Sequence, residues 1–339
     1  TVKSDGLPKE SEGRASGWVD LDRMRVEVVP AEEWRQMFRE AWRLQRDHFW
    51  TPDMSGIDWQ DVHDRYLPLV DRVGGRSEFS DLIWEMQGEL GTSHCYEFGG
   101  DYRPRPAWHQ GFLGADLVYR RKTRSWHVGR IPKGDGWDPD YASPLAAPGL
   151  GVKEGDQIVA VAGQSVGAKR SPEECLVHQA DQPVSLTLRR KGGGSRTITV
   201  KTLGAEHALR YRDWVEANRA HVHRATQGRV GYVHVPDMGP RGFAEFHRYY
   251  LSEVEHDGLI VDVRFNGGGH VSQLILQKLL RKRIGYGKPR WGEAYSYPAH
   301  APLGPMVGLT NEYAGSDGDM FSHGFKTYGL GPLIGVRTW

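Results

Sequence analysis

The sequence has little of three things, and each shortage narrows the reading. Among 339 residues there are only two cysteines, Cys95 and Cys175, too few and too far apart for a disulfide framework or a Cys-x-x-Cys zinc site. No run approaches the roughly 18 apolar residues of a membrane helix, and the opening TVKSDGLPKESEGRASG is polar and lacks the apolar centre of a signal peptide. Net charge is nearly absent too: 44 Lys and Arg face 43 Asp and Glu, for a formal +1, so no global field draws nucleic acid or an anionic membrane. Together these shortages predict a cytoplasmic protein in a reducing compartment, with no nucleic-acid and no membrane partner. Residues 1–17 are expected to be a polar tail or linker. The chain begins without methionine and stops at LIGVRTW, inside strand-like sequence, which leads us to expect a portion of a longer polypeptide.

What is present suggests several domains. With 38% hydrophobic residues the chain can bury a real core, and its length fits two or three units at the usual ~100–200 residues per domain. Residues 18–105 read as helical. Trp34, Met37, Phe38, Ala41, Trp42 and Phe49 recur at helical spacing, and Phe79, Leu82, Ile83, Met86 and Leu90 do so again, with Ser77 as a prospective N-cap and Gly91 as a stop. The tryptophans at 34, 42, 50, 59 and 84 are expected in this core rather than on a stacking platform for nucleic acid. Residues 106–203 turn to short strands and glycine turns. The order GFLGADLVY, GVKEGDQIVAVAGQSV, PVSLTLRRKGGGSRTITV resembles a PDZ domain, which implies that Gly111, Phe112, Leu113 and Gly114 offer N–H groups to a peptide carboxylate and that the next strand accepts a peptide.

Residues 204–339 alternate helix and strand. HALRYRDWVEANRAHVHRAT reads as a helix, GRVGYVHV, GLIVDVRF and PMVGL as strands, HVSQLILQKLLRKR as a helix with Val271, Leu274, Ile275 and Leu279 on one face, and SDGDMFSHGFKTYG as a helix ending at Gly329. RKRIGYGKPR reads as solvated charge at a helix end. Two successive strand-turn-helix units imply an α/β layer whose ligands gather at the strands' C-terminal ends.

The two turns there, RFNGGGH and TNEYAGSDGD, are the candidate chemistry. A triple glycine lets backbone approach a ligand and turn its N–H groups toward it, as an oxyanion hole requires. It matches neither G-x-G-x-x-G nor a lysine-bearing P-loop. Ser316 in the second turn is either a helix N-cap or a nucleophile, and the second role needs a base within hydrogen-bond reach. His94 stands out among 15 histidines because it follows a helix stop in the short polar break TSHCY. Cys95 beside it points the other way in extended backbone and reads as a structural thiol.

The order of a helical segment ending in GTSHCY, a PDZ-like domain, and an α/β domain with DVRFNGGGHVSQLI and NEYAGSDGDMF resembles the C-terminal catalytic half of the tricorn protease family, related to the tail-specific processing proteases. The resemblance covers the chain from about residue 25. It implies a crotonase-like α/β catalytic domain and a serine peptidase acting on oligopeptides downstream of a larger protease. It further implies Ser316 as nucleophile, His94 as general base, Ser93 as its orienting partner, and Gly269 or Gly268 with Asp317 as oxyanion-hole donors. No cofactor or metal is implied, and a ring-like homo-oligomer, a hexamer, is expected. The family's tetrad also has a glutamate far downstream of the nucleophile, beyond Trp339. Two other readings stand beside this one: a peptide-binding module on a degenerate scaffold, and a Ser-Lys protease of the tail-specific branch, for which Lys326 lies too close to Ser316.

Overall fold

The computed structural model describes every residue except 1, 4–17, 20, 102–105, 137, 139, 140 and 191. The expected tail of residues 1–17 therefore lies outside the described residues, save that β1 (Val2–Lys3) pairs antiparallel with β2 (Trp18–Val19). The chain divides into two compact units, Thr1–Pro106 and Ala107–Trp339.

The first unit is built on α1 (Pro30–His48), α2 (Trp59–Val70) and α3 (Arg76–Gly88). Pro30 is tolerated at the start of α1 because no intrahelical bond needs its missing N–H. Both apolar stripes bury as their spacing predicts: Phe38 sits at the centre, and Phe79, Leu82, Ile83, Met86 and Leu90 are all buried. Trp42 and Trp59 each donate an indole N–H to the other's carbonyl, at 2.7 and 2.9 Å, so these bulky rings enter the core with their polar atoms satisfied. Two expectations fail. Ser77 does not cap α3, whose N-cap is Gly75; Glu78 instead reaches back and accepts the Gly74 N–H at 2.7 Å. Trp50 and Trp84 are 75% and 43% exposed, because each falls on the solvent side of its segment.

The second unit holds two cores. Strands β3 (Asp116–Arg120), β4 (Ser125–Arg130), β5 (Gln157–Val161), β6 (Gln164–Ser165), β7 (Pro183–Arg189) and β8 (Ser195–Lys201) form an antiparallel sheet in the order β3-β4-β5-β7-β8, with β6 on β5. Alternation along β7 buries Val184, Leu186 and Leu188, the pattern of a sheet with one covered face. The glycines of the KGGGS stretch, residues 192–194, fall in the hairpin joining β7 to β8.

Next, α4 (His207–Thr226) leads into a parallel sheet of β9 (Val230–His234), β10 (Gly258–Asp262), β13 (Met306–Thr310) and β14 (Leu333–Gly335), ordered β14-β13-β10-β9. Helices α5 (Pro240–Glu253), α6 (Ser272–Leu279) and α7 (Asp317–Thr327) make the crossovers, and β11 (Gly285–Gly287) with β12 (Tyr295–Tyr297) is a side hairpin. The sheet is near-continuously apolar, with Val233, Val261 and Val263 fully buried, as helix-covered parallel strands require. Helix α5 was not anticipated, and on α6 it is Leu276 that is buried while Leu274 is 42% exposed. Asp213 of α4 receives Arg130 at 2.7 Å and the Lys133 N–H at 3.1 Å, and buried Leu209 packs against Gly134 and Gly114, so α4 joins the two cores.

Candidate active site

Strands β10 and β13 run parallel and adjacent, so the turns after them, residues 263–271 and 311–316, open at the same sheet edge, where α/β proteins bind ligands. Their backbones are interlocked. Asn266 is completely buried; its Nδ2 donates to Val235 O at 2.9 Å, its Oδ1 accepts the Gly268 N–H at 2.9 Å, and its carbonyl accepts the Gly315 N–H at 3.0 Å. Asn311 Oδ1 accepts the Phe265 N–H at 2.9 Å, and Asp317 accepts both the Ser272 N–H at 2.9 Å and the Ser272 hydroxyl at 2.6 Å, tying the first turns of α6 and α7 together. The sequence reading missed all three of these side-chain roles. A faint signal was there: each turn carries an asparagine, and its side chain characteristically satisfies backbone donors a residue or two on.

The glycine turn must be glycine. Gly268 has φ +84°, and a Cβ there would stand 2.5 Å from Ser316 Cβ and 3.0 Å from its Oγ; Gly269 has φ +146°, and a Cβ would stand 2.1 Å from the Met238 carbonyl oxygen. Backbone therefore takes the space beside the Ser316 side chain. Of the two glycine donors, Gly268 N–H is engaged by Asn266, whereas the Gly269 and Asp317 N–H groups meet no acceptor among the described residues. Gly269 and Asp317 also line an open cleft of about 710 Å³ between α6 and α7, with Leu276, Met320 and His323 on its walls. Two unengaged N–H groups and the N-terminus of α7 make this a place that favours negative charge.

Ser316 itself is exposed, with φ 54° and ψ −123°. For a residue with a Cβ this is a costly backbone state, on the order of 1–3 kcal/mol. It stands at the N-cap position of α7, yet its hydroxyl makes no cap hydrogen bond, so the strain does not serve helix capping. Lys326 is exposed in the last turn of α7.

The histidine lies in the first unit. After α3 the chain turns at Gly91 (φ 58°), and His94 takes φ 71°. Both Ser93 and His94 are exposed, and Ser93 Oγ is 2.8 Å from His94 Nδ1. Tyr96 stands beside the imidazole, ring centroids 5.8 Å apart. Cys95 is half-buried in the helical core, and burial pushes its thiol pKa up, the opposite of what a nucleophilic thiol needs.

The PDZ-like loop offers less than its sequence suggested. Gly111 N–H already donates to Leu176 O at 2.8 Å and Phe112 N–H to Leu203 O at 2.9 Å; Gly111, Leu113 and Gly114 are buried, with Pro144 closing over Gly114. Strand β3 is nonetheless the edge of its sheet. For metals, the group of ligand side chains that converges among the described residues is His223, Glu253 and His256, near the N-terminal ends of β9 and β10.

Comparison with known proteins fits this layout. Residues 30–88 match the tricorn protease C1 domain, residues 111–205 the tricorn protease PDZ domain, and residues 229–339 peptidase family S41. The chain is 48% identical over 338 residues to tricorn protease homolog 1 of Streptomyces coelicolor, spanning 97% of this chain and 32% of that protein. It is 42% identical over 321 residues to the tricorn protease of Thermoplasma acidophilum, spanning 95% of this chain and 30% of that one. A crystal structure of the tricorn protease superposes with a TM-score of 0.89 at 40% identity, covering 95% of this chain and 31% of the other. The chain thus spans about a third of the length of these relatives.

Proposed function

Given that this chain belongs to the tricorn protease family, whose C1, PDZ and S41 peptidase domains it carries in series, we propose that it is a serine peptidase hydrolysing peptide bonds of oligopeptides through Ser316 and His94. Ser316 Oγ attacks the scissile carbonyl carbon while His94 Nε2 takes the hydroxyl proton and passes it to the leaving amine. The carbonyl oxygen, now an anion, accepts hydrogen bonds from the Gly269 and Asp317 N–H groups. Water then enters by the same route, losing a proton to His94 as it attacks the acyl-enzyme, and Ser316 recovers its own. Ser93 orients the base by accepting the Nδ1 hydrogen, which leaves the lone pair on Nε2. A glutamate accepting from Ser93 would hold that tautomer, the part the family gives to an acid downstream of the nucleophile.

The observation that carries this reading is Ser316: an exposed hydroxyl on strained backbone, making no cap bond, pressed against a glycine turn whose Gly269 N–H is unengaged. A helix cap needs none of that. The working place expected from the composition is the cytoplasm, and the assembly expected from the family is a hexameric homo-oligomer, which native mass spectrometry reads directly.

The test is labelling by a fluorophosphonate or a peptide chloromethyl ketone, followed by intact mass, for this chain, its Ser316→Ala and His94→Ala variants, and a form extended past Trp339. One adduct on this chain or its extended form, lost in both variants, is the expected result. No adduct on either form would overturn the peptidase reading.

A further inference from the structure

Away from the glycine turn, near the N-terminal ends of β9 and β10, three side chains from three segments meet. His223 lies in the last turn of α4, Glu253 ends α5, and His256 sits in the connection to β10. His223 Nε2 is 2.7 Å and His256 Nε2 3.7 Å from the same carboxylate oxygen, Glu253 Oε2, and all three donor atoms lie within 4.8 Å of one another. We infer that His223, Glu253 and His256 form a binding site for a divalent transition metal of the zinc type, pinning the end of α4 to the corner between α5 and β10.

The donor set has the right chemistry. Two imidazole nitrogens and one carboxylate oxygen suit Zn²⁺ and its neighbours in the first transition row, with a fourth position left for water. Ligands about 2.0–2.1 Å from a tetrahedral ion sit a little over 3 Å from one another. The observed 2.7 and 3.7 Å between each imidazole and the carboxylate bracket that spacing, and the two imidazole nitrogens lie within 4.8 Å of each other, so side-chain adjustments without a change of fold would seat the ion. The imidazole of His256 is already oriented for an ion. Its Nδ1–H donates to the Gly228 carbonyl at 2.7 Å, which fixes the tautomer with the Nε2 lone pair facing Glu253, the supporting hydrogen bond typical of metal-bound histidine. Both imidazoles are partly exposed, at 28% and 27%, while Glu253 is 1% exposed, so an ion has a way in and the anchoring carboxylate is kept from water.

Glu253 has other neighbours. Arg219 Nε donates to Oε1 at 2.6 Å, and the Tyr232 N–H donates to Oε2 at 3.0 Å. Arg219 thus occupies the oxygen remote from the imidazoles and leaves Oε2 to face them. Burial works against the charge on Glu253, but Arg219, His223 and the Tyr232 N–H outweigh it and hold the carboxyl below its usual range. Because α4 also carries Asp213 and Leu209, which hold the antiparallel sheet, an ion here would stiffen the helix joining the two cores of the second unit.

Co²⁺ and Zn²⁺ are the probes. The full chain is titrated with Co²⁺ at neutral pH, and the visible bands of tetrahedral Co²⁺ are read together with bound metal per chain after dialysis. The expected result is one equivalent bound, displaced by Zn²⁺, with affinity reduced at least about tenfold in both His223→Ala and His256→Ala, and a rise in melting temperature with Zn²⁺ that both variants lose. His256 makes one side-chain hydrogen bond, to Gly228, so His256→Ala keeps the test sound if His223→Ala folds poorly. No stoichiometric uptake, or uptake equal in wild type and both variants, would overturn the site and leave Glu253 as a buried hydrogen-bond partner of Arg219, His223 and the Tyr232 N–H.

Discussion

At the scale of single residues the candidate site depends on what side chains are missing. Gly268 and Gly267 are neighbours in one turn with different duties. A methyl group at Gly268 would press on Ser316 from 2.5 Å, while one at Gly267 would meet nothing within 4 Å. Gly268→Ala is therefore expected to fold yet displace the nucleophile, slowing labelling by about 100-fold, the usual effect of a 1 Å misplacement. Gly267→Ala should change the rate by less than about tenfold. Labelling rates for the two variants, with circular dichroism to check folding, decide it; equal rates would detach the glycine turn from Ser316. Asn266 belongs to the same scale. It sat in the motif RFNGGG, but only tertiary structure shows one buried asparagine holding both turns, its side chain on Val235 and its backbone carbonyl on Gly315, because those partners come from elsewhere in the chain.

At the scale of elements, α4 and α5 are joined by a buried ion pair. Arg212 is 1% exposed and donates to Glu245 at 2.6 Å and to Tyr249 Oη at 2.5 Å. Removing one partner strands the other's charge, so Arg212→Met should destabilise the fold by about 3–5 kcal/mol. Adding Glu245→Gln should restore part of that loss, since the uncompensated charge goes with it. Chemical denaturation of both forms measures the difference, and a double variant no better than the single one would show that packing, not charge, dominates there.

The elements also show what periodicity can and cannot reach. Helix α4 was legible from end to end, 207–226, because it is long and bounded by Gly204 and Gly228. Helix α5 was not, although Phe246, Tyr249 and Tyr250 share a helical face: Pro240 and Gly242 in its first turn look like breakers. Gly242 is there for packing, since a Cβ would stand 1.7 Å from the Asp237 carbonyl oxygen. On α6 the buried leucine was misassigned because a helix of eight residues carries too few repeats to fix its phase. A neighbour decides instead: Leu276 fits where Gly324 of α7 has no side chain, a Cβ there standing 2.7 Å from Leu276 Cδ1.

At the scale of the whole molecule, stability should fall on acidification in two stages. His234 is 2% exposed, its Nε2–H donating to the Arg264 carbonyl at 2.9 Å and its Nδ1 facing Tyr211 Oη at 3.1 Å. Burial holds its pKa below the ordinary value. The unfolded chain then binds a proton first, so this contribution is intact above about pH 6.5 and declines as pH falls below it. Glu253, held below the usual carboxylate range, adds a loss that begins as pH drops through about 4.3. Urea midpoints measured across that range should stay level above neutrality and then decline, with His234→Gln flattening the first stage. A decline confined to the carboxylate range in wild type would remove His234 from this account.

Local sequence dictates the order of the domains, both apolar stripes of the helical segment, the parallel strands and the two glycine-bearing turns, because each is a matter of nearby residues: a spacing of apolar side chains, or a glycine run that lets backbone come close to a neighbour. Only in three dimensions is it settled that Gly269 rather than Gly268 keeps an unengaged N–H, that the PDZ-like loop has two donors engaged internally, and that His223, Glu253 and His256 converge. Each of those depends on which distant carbonyl, amide or ring fills the space beside a residue, and no short stretch of sequence carries that information.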